Sequence, residues 1–467
     1  MDTGTESKDY LAKRTLKQGT AGWLLLAGLG VGYVISGDYS GWNFGLAEGG
    51  FGGLLIAAIL IAGMYLAMVL GMAEMSSALP AAGGGYTFAR RALGPWGGFA
   101  TGTAILIEYA IAPAAIATFI GAYVESLGLF GITDGWWVYL AVYVLFIGIH
   151  LAGVGEALKV MFVITAIALA GLLIFAISAI GSFDAANLTD IAPTDAAGAS
   201  SFLPFGYVGI WAAVPFAIWF FLAVEGVPLA AEEAKDPARN VPRGIIAAMG
   251  VLLVTATTVL VLVAGSGGAE AMSASGNPLV EALGESTMAK VVNYIGLAGL
   301  VASFFSIIFA YSRQLFALSR AGYLPKRLSV VNGRKAPTLA LIVPGIIGFV
   351  LSLTGQGAML LNMAVFGAAL SYVFMMCSHI VLRVREPEMD RPYRTPGGIF
   401  TTSFALVVAA LSVVATFVVD STAASWCLVV FAAFMAYFGI YSRHHLVANS
   451  PDEEFAALEA AEKDLET

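Results

Sequence analysis

The chain has 467 residues, 59% of them hydrophobic and only 12% charged, with a formal net charge of −8 and a mean hydropathy of +0.85. That composition excludes a soluble globular domain. The negative balance gives no support for nucleic acid binding, because much of it comes from outer loops and from an acidic tail after Ser450.

A bilayer core of about 30 Å takes about 20 apolar residues per helix. Apolar runs of that length recur from Trp23 to Tyr441. They are continuous and too long for strands, so they predict an all-α membrane protein and not a β-barrel. Residues 1–20 form a polar segment in which Lys8, Lys13, Arg14 and Lys17 precede the first span, without the pattern of a cleavable signal. About twelve spans follow, at 21–47, 52–76, 97–124, 135–152, 157–181, 205–229, 243–265, 291–317, 337–354, 357–382, 400–420 and 423–442. With the N-terminus inside, Lys290 alone among the 23 Lys and Arg falls on the outer side, which satisfies the positive-inside rule. A multi-pass protein of the plasma (inner) membrane with both termini cytoplasmic is therefore expected. The tail, 443–467, reads as a solvated helix or disorder.

Other chemistries find little support. Cys377 and Cys427 both lie inside spans, so neither a disulfide framework nor a metal site with paired ligands is expected. The four histidines are scattered and suit packing or interfacial roles. No phosphate-binding Gly-rich loop ending in Lys-Ser or Lys-Thr occurs, and the glycines at 28, 30 and 32 sit inside a span, where they suit close helix packing. No cofactor is implied, and an enzyme would need a nucleophile and base at one depth.

A spanning helix tolerates charge and helix breakers only where they face a protein-lined cavity, so interruptions locate function. The first is Ile35-Ser-Gly-Asp-Tyr-Ser-Gly41 in span 1. The second is Trp219-Phe-Phe-Leu-Ala-Val-Glu-Gly-Val-Pro228 in span 6. Breaks five spans apart predict a 5+5 inverted repeat, 21–182 and 205–382, with two further helices at 400–442. Half-helix ends at such breaks offer carbonyls to a cation and N–H groups to an anion.

Three segments bring a family into view: Ala73-Glu-Met-Ser-Ser-Ala-Leu-Pro80 with its continuation to Pro95, Ala231-Glu-Glu-Ala-Lys-Asp-Pro237 with its continuation to Arg243, and Arg313-Gln-Leu-Phe-Ala-Leu-Ser-Arg320 with its continuation to Pro325. Here the chain resembles the amino acid, polyamine and organocation transporter superfamily. The stretches 37–43 and 108–117 resemble most closely the ethanolamine permease branch.

The resemblance implies a small-molecule permease working by alternating access, with residues of both breaks at the substrate. Amino acid members usually carry Gly-Ser-Gly at the first break, where N–H groups receive the substrate carboxylate. Ser36-Gly37-Asp38 aligns with that triplet, and Tyr39 and Gly41 complete the segment. A negative Asp38 would repel a carboxylate and give the ammonium of a simple amine a partner. The bland alternative is that Asp38 caps the second half of span 1.

Glu108 lies in the apolar run Leu106-Ile-Glu-Tyr-Ala-Ile-Ala-Pro113, where a carboxylate must be paired or protonated. It is the first candidate for ammonium partner or proton carrier, followed by Asp38, against a static hydrogen bond to a neighbouring helix. Glu225 matches an acidic position of amino acid members, which implies that it organises the broken span 6. Trp219 coincides with a gating aromatic of similar antiporters, whose face can hold an ammonium. Phe220, Phe221 and Leu222 would then contribute backbone carbonyls.

Some members place a sodium-mimicking lysine midway along span 5, where this chain aligns Ala168. Proton coupling is therefore favoured, with sodium as the second choice. The expected cargo is ethanolamine or a related small amino alcohol. An amino acid or polyamine permease or antiporter is the alternative, and a membrane sensor or channel a remote one. Oligomeric state is not written in the sequence.

Overall fold

The computed structural model describes residue 19 and residues 21–80, 83–128, 135–153 and 157–447. The basic residues Lys8 to Lys17 and the acidic tail after Ser450 lie outside them. Chain order begins with α1 (Trp23–Val34), a single turn α2 (Ser36–Tyr39), α3 (Phe44–Ala78), α4 (Gly85–Ser126), α5 (Gly135–Leu151) and α6 (Ala157–Ala179). It continues through α7 (Gly206–Trp219), a 3-10 segment (Val224–Glu233), α8 (Pro237–Gly267), α9 (Thr287–Arg320), α10 (Thr338–Ser352), α11 (Gly357–Arg385), α12 (Ile399–Val419) and α13 (Ser421–Ile440). Among the described residues there is no strand, only isolated bridges such as Ala21–Ala234.

Nine helical stretches among the described residues are long and apolar enough to cross a membrane, and Trp23–Tyr39, Gly135–Leu151 and Thr338–Ser352 are shorter apolar ones. Every span expected from the sequence has a helix in its place, and the all-α membrane architecture stands. The separation of spans 1 and 2 is a sharp bend inside α3 at Gly50, whose φ of 65° suits a residue without a Cβ.

Packing places α4 at the centre, in contact with α5, α9, α10, α11 and α13. The lipid side is equally legible: on α6, Val160, Val163, Ile167, Leu173 and Ile177 are exposed at helical spacing. Such a stripe would be a liability in water and is ordinary against acyl chains.

Each of the three segments that carried the family resemblance holds ion pairs, and the second and third pair with each other. Glu74 of the first accepts from Arg383 Nε at 2.7 Å and Nη2 at 2.6 Å, and from the Thr395 backbone N–H at 2.7 Å. Arg391 Nε lies 3.0 Å and His379 Nε2 3.2 Å from the same carboxylate. Glu233 of the second segment pairs with Arg313 of the third at 2.7 Å, both buried, and Glu232 pairs with Arg320 at 2.7 Å. The side rich in Lys and Arg, called here the basic face, is thus closed by charge pairs between helix ends.

Glu74→Gln would leave Arg383 and Arg391 without their common counter-charge. It should cost about 3 kcal/mol, the lower end for breaking a buried pair because Arg383 keeps some solvent contact. Thermal unfolding of the purified protein beside wild type measures it.

Candidate functional site

The first break falls at the C-terminal end of its predicted segment. Ser36–Tyr39 is a helical turn, and the backbone leaves the helix at Ser40, which is extended, and Gly41, at φ 98°. A side chain at Gly41 would be strained, and its Cβ would stand 2.7 Å from the Trp219 indole nitrogen. The second break follows α7: residues 220–223 form turns, Ala223 takes the left-handed conformation at φ 78°, and the 3-10 segment begins at Val224. Pro228 cannot donate a helical hydrogen bond and helps keep that segment from becoming α-helix.

The two breaks are in contact. The indole N–H of Trp219 donates to the Ser40 carbonyl at 3.0 Å, and Trp42 stacks on Phe220 with centroids 5.1 Å apart. Gly37 lies so close to the Trp219 carbonyl that a Cβ would collide with it. Phe119 meets the Trp219 ring edge-on at 6.1 Å.

Several backbone donors of the first break are already occupied. Ser36 N–H donates to Ser303 Oγ at 2.9 Å, and that hydroxyl donates to the Gly32 carbonyl at 2.8 Å. The N–H groups of Asp38 and Ser40 donate to the carbonyls of Ile35 and Ser36, and that of Gly41 to Asn43 Oδ1 at 3.1 Å. Asn43 in turn donates to the carbonyls of Met272, at the end of the short helix Ala269–Met272, and of Ser275 just beyond it. In the second break the Phe221 carbonyl, expected to face a ligand, accepts from Val224 N–H at 3.2 Å. Phe220 and Phe221 contribute rings as well, the latter packed on Tyr65 at 5.3 Å, and Leu222 is buried beside them.

The three carboxyl groups are all buried and divide into two places. Glu108 on α4 and Glu225 on the 3-10 segment are neighbours, close enough for each to feel the other's charge. Glu225 Oε1 accepts from Tyr109 at 2.9 Å and Oε2 from Tyr372 at 3.1 Å, while Tyr372 meets the Tyr65 hydroxyl at 2.8 Å. Neither oxygen of Glu108 meets a donor of its own. Two carboxyl groups placed side by side in a dry site repel each other when both are ionised.

Asp38 sits apart, facing Thr255 of α8. It accepts no backbone N–H, so the capping role is not what the structure displays. Tyr39 takes the space beside Ala168: its hydroxyl donates to the Ala168 carbonyl at 2.7 Å and its ring packs on Gly296 and Gly299.

Sequence reasoning found the carboxylates and the breaks but missed Tyr65, Tyr109, Tyr372, Phe119 and Ser303. The three tyrosines carry a legible signal, a phenol within an apolar span, which requires a buried partner. Ser303 carries none, because a serine in a span usually bonds its own helix. Among the described residues no group of three or more His, Cys, Asp or Glu is arranged to hold a metal ion.

Residues 22–441 match the profile of the amino acid permease family. The chain belongs to that family. It is 29% identical over 425 residues to an uncharacterized transporter of Rhizobium meliloti, covering 88% of this chain and 90% of the other. Similarity extends to the methylthioribose transporter of Bacillus subtilis, at 29% identity over 79% of this chain and 82% of that one. A branched-chain amino acid permease of Lactococcus lactis subsp. cremoris is 27% identical, also over 79% and 82%. The protein is thus a multi-pass membrane transporter for a small molecule and not an enzyme.

The contact between the breaks makes a test. Gly37→Val should insert into the Trp219 carbonyl, separate the two helices and lower transport about tenfold or more, equivalent to roughly 1.4 kcal/mol. Uptake in proteoliposomes, normalised to protein inserted, reads the effect.

Proposed function

We propose that the protein imports ethanolamine or a related small amino alcohol across the plasma membrane. Transport would proceed by alternating access of two five-helix repeats, 21–182 and 205–382, and would be coupled to protons. The observation that carries this reading is the first break itself, where a buried carboxylate stands among N–H groups already used within the protein. A substrate carboxylate would meet Asp38 and few free donors, whereas an ammonium would meet a counter-charge. The relative named for methylthioribose supports a cargo other than an amino acid.

Coupling to protons is supported by the Glu108–Glu225 pair. Ionising both carboxyl groups in a dry site is strongly unfavourable, so loading and unloading of one proton accompanies any rearrangement that parts them. The absence of a lysine at Ala168 agrees, since Tyr39 fills that space.

Sodium coupling is the second choice, and one observation favours it. The Thr165 hydroxyl is buried without a partner beside Gly32, and a Cβ on Gly32 would meet Thr165 Oγ1 at 2.9 Å and Ser306 Oγ at 3.1 Å. The relatives named as branched-chain amino acid permeases keep an amino acid cargo as the alternative.

Uptake of radiolabelled ethanolamine into proteoliposomes tests the cargo, and no uptake under pH gradients of either sign sinks it. Stronger competition by alanine, arginine or putrescine than by ethanolamine would favour the alternative. Asp38→Asn or Glu108→Gln, whichever residue pairs with the ammonium, should weaken binding by about 2–5 kcal/mol. A thermal-shift titration reads that change, because a ligand stabilises the protein it binds. Wild-type affinity in both variants removes the mechanism. If Glu108 carries the proton, Glu108→Gln should keep exchange and lose pH-driven accumulation. Accumulation that follows a sodium gradient and is lost in Thr165→Ala would assign the coupling to sodium.

A further inference from the structure

A cleft on the lipid side of α4 takes no part in the site described above. The helices α10 and α13 both pack on α4. Between them lies a cavity of about 380 Å³, floored by Leu106 and Ala110 and walled by Ile347 and Val430. It opens sideways, since Val343, Ile347 and Val430 are exposed. Along α10 it runs from Val343 to Leu351, about 12 Å at the helical rise, against about 15 Å for half of the hydrocarbon core. The cleft is therefore about as long as one leaflet is deep.

Its end at the basic face is closed by Leu324 and Leu328. Between these two residues the chain makes a turn that exposes Lys326 and Arg327. A second, shallower cleft shares Leu324 and Phe434 and extends to Tyr437, an aromatic of the kind that sits at headgroup level. On the floor, the Thr103 hydroxyl is buried and has no partner within the protein. An apolar cleft open to lipid is filled by acyl chain, and what this one adds is cationic charge at its mouth and a free hydroxyl within. Both match a phospholipid, with phosphate at the rim and an ester carbonyl below it.

We infer that the cleft holds one acyl chain of an anionic phospholipid whose phosphate rests on the Lys326–Arg327 turn. The inference is independent of the cargo.

Full-length protein in nanodiscs of equal parts phosphatidylglycerol and phosphatidylcholine, released into native mass spectrometry, reports the lipid retained. Wild type should keep phosphatidylglycerol in preference, by about fivefold for each basic residue. Lys326→Gln with Arg327→Gln should abolish the preference, and Ile347→Trp, a lipid-facing substitution that fills the cleft, should lower the total lipid retained. Equal retention of both lipids by wild type, or an unchanged pattern in the variants, overturns the inference. Should a variant misfold, photoreactive phosphatidylglycerol on wild type decides: label on 343–351 and 430–434 supports the site. Label elsewhere, or crosslinks there to a second copy of the chain, overturns it.

Discussion

In the dry interior of this bundle a backbone polar group without a partner costs several kcal/mol, and that constraint shapes both helix breaks. Interrupting a helix frees carbonyls and N–H groups at a depth where water cannot satisfy them. The chain answers by setting one break against the other: the Trp219 indole satisfies the Ser40 carbonyl, and Asn43, Ser303 and local turns take up several of the freed N–H groups. Close approach is what makes this possible, and it rests on Gly37 and Gly41, where any side chain would push the two segments apart. The glycines are therefore part of the hydrogen bonding although they contribute no side chain to it.

Against this background of satisfied groups, the unsatisfied ones carry meaning. Asp38 and Glu108 are fully buried, and neither finds an N–H donor. A static structural role would have given each a donor, as Glu225 has in Tyr109 and Tyr372 and as Glu74 has in two arginines. The comparison of Glu74 with Glu108 is instructive because both are buried glutamates on consecutive helices. One is surrounded by cations and fixes helix ends; the other faces a second acid and can be relieved only by a proton or a cationic ligand.

Much of the architecture was legible in the sequence because the bilayer enforces it. Apolar runs of fixed length and the lopsided placement of Lys and Arg follow from lipid alone, so the spans could be read without knowing their packing. The breaks were legible for the same reason, since Gly, Pro and acid residues stand out against Leu and Ala. Tertiary pairing was not: Glu108 and Glu225 are 117 positions apart, and nothing local shows that α4 brings one against the other. The turn at Ser36–Tyr39 was hidden too, because Ser-Gly-Asp reads as a helix breaker until Ser303 from α9 satisfies Ser36.

The 3-10 segment links the site to the basic face. It carries Glu225 near its start and Glu232 and Glu233 at its end, and at about 2.0 Å per residue these lie roughly 16 Å apart along one short, poorly bonded helix. Just beyond it, the backbone of Lys235 donates to the Ala21 carbonyl, and Ala21 donates back to Glu233, which ties the segment to the entry of α1. Its far end is held by two arginines of α9, its near end by two tyrosines of α4 and α11, and its entry by a left-handed Ala223. A segment anchored so heavily at both ends, and weakly within itself, is more readily displaced as a unit than bent. Parting Glu225 from Glu108 therefore strains the same piece of chain whose ion pairs close the basic face.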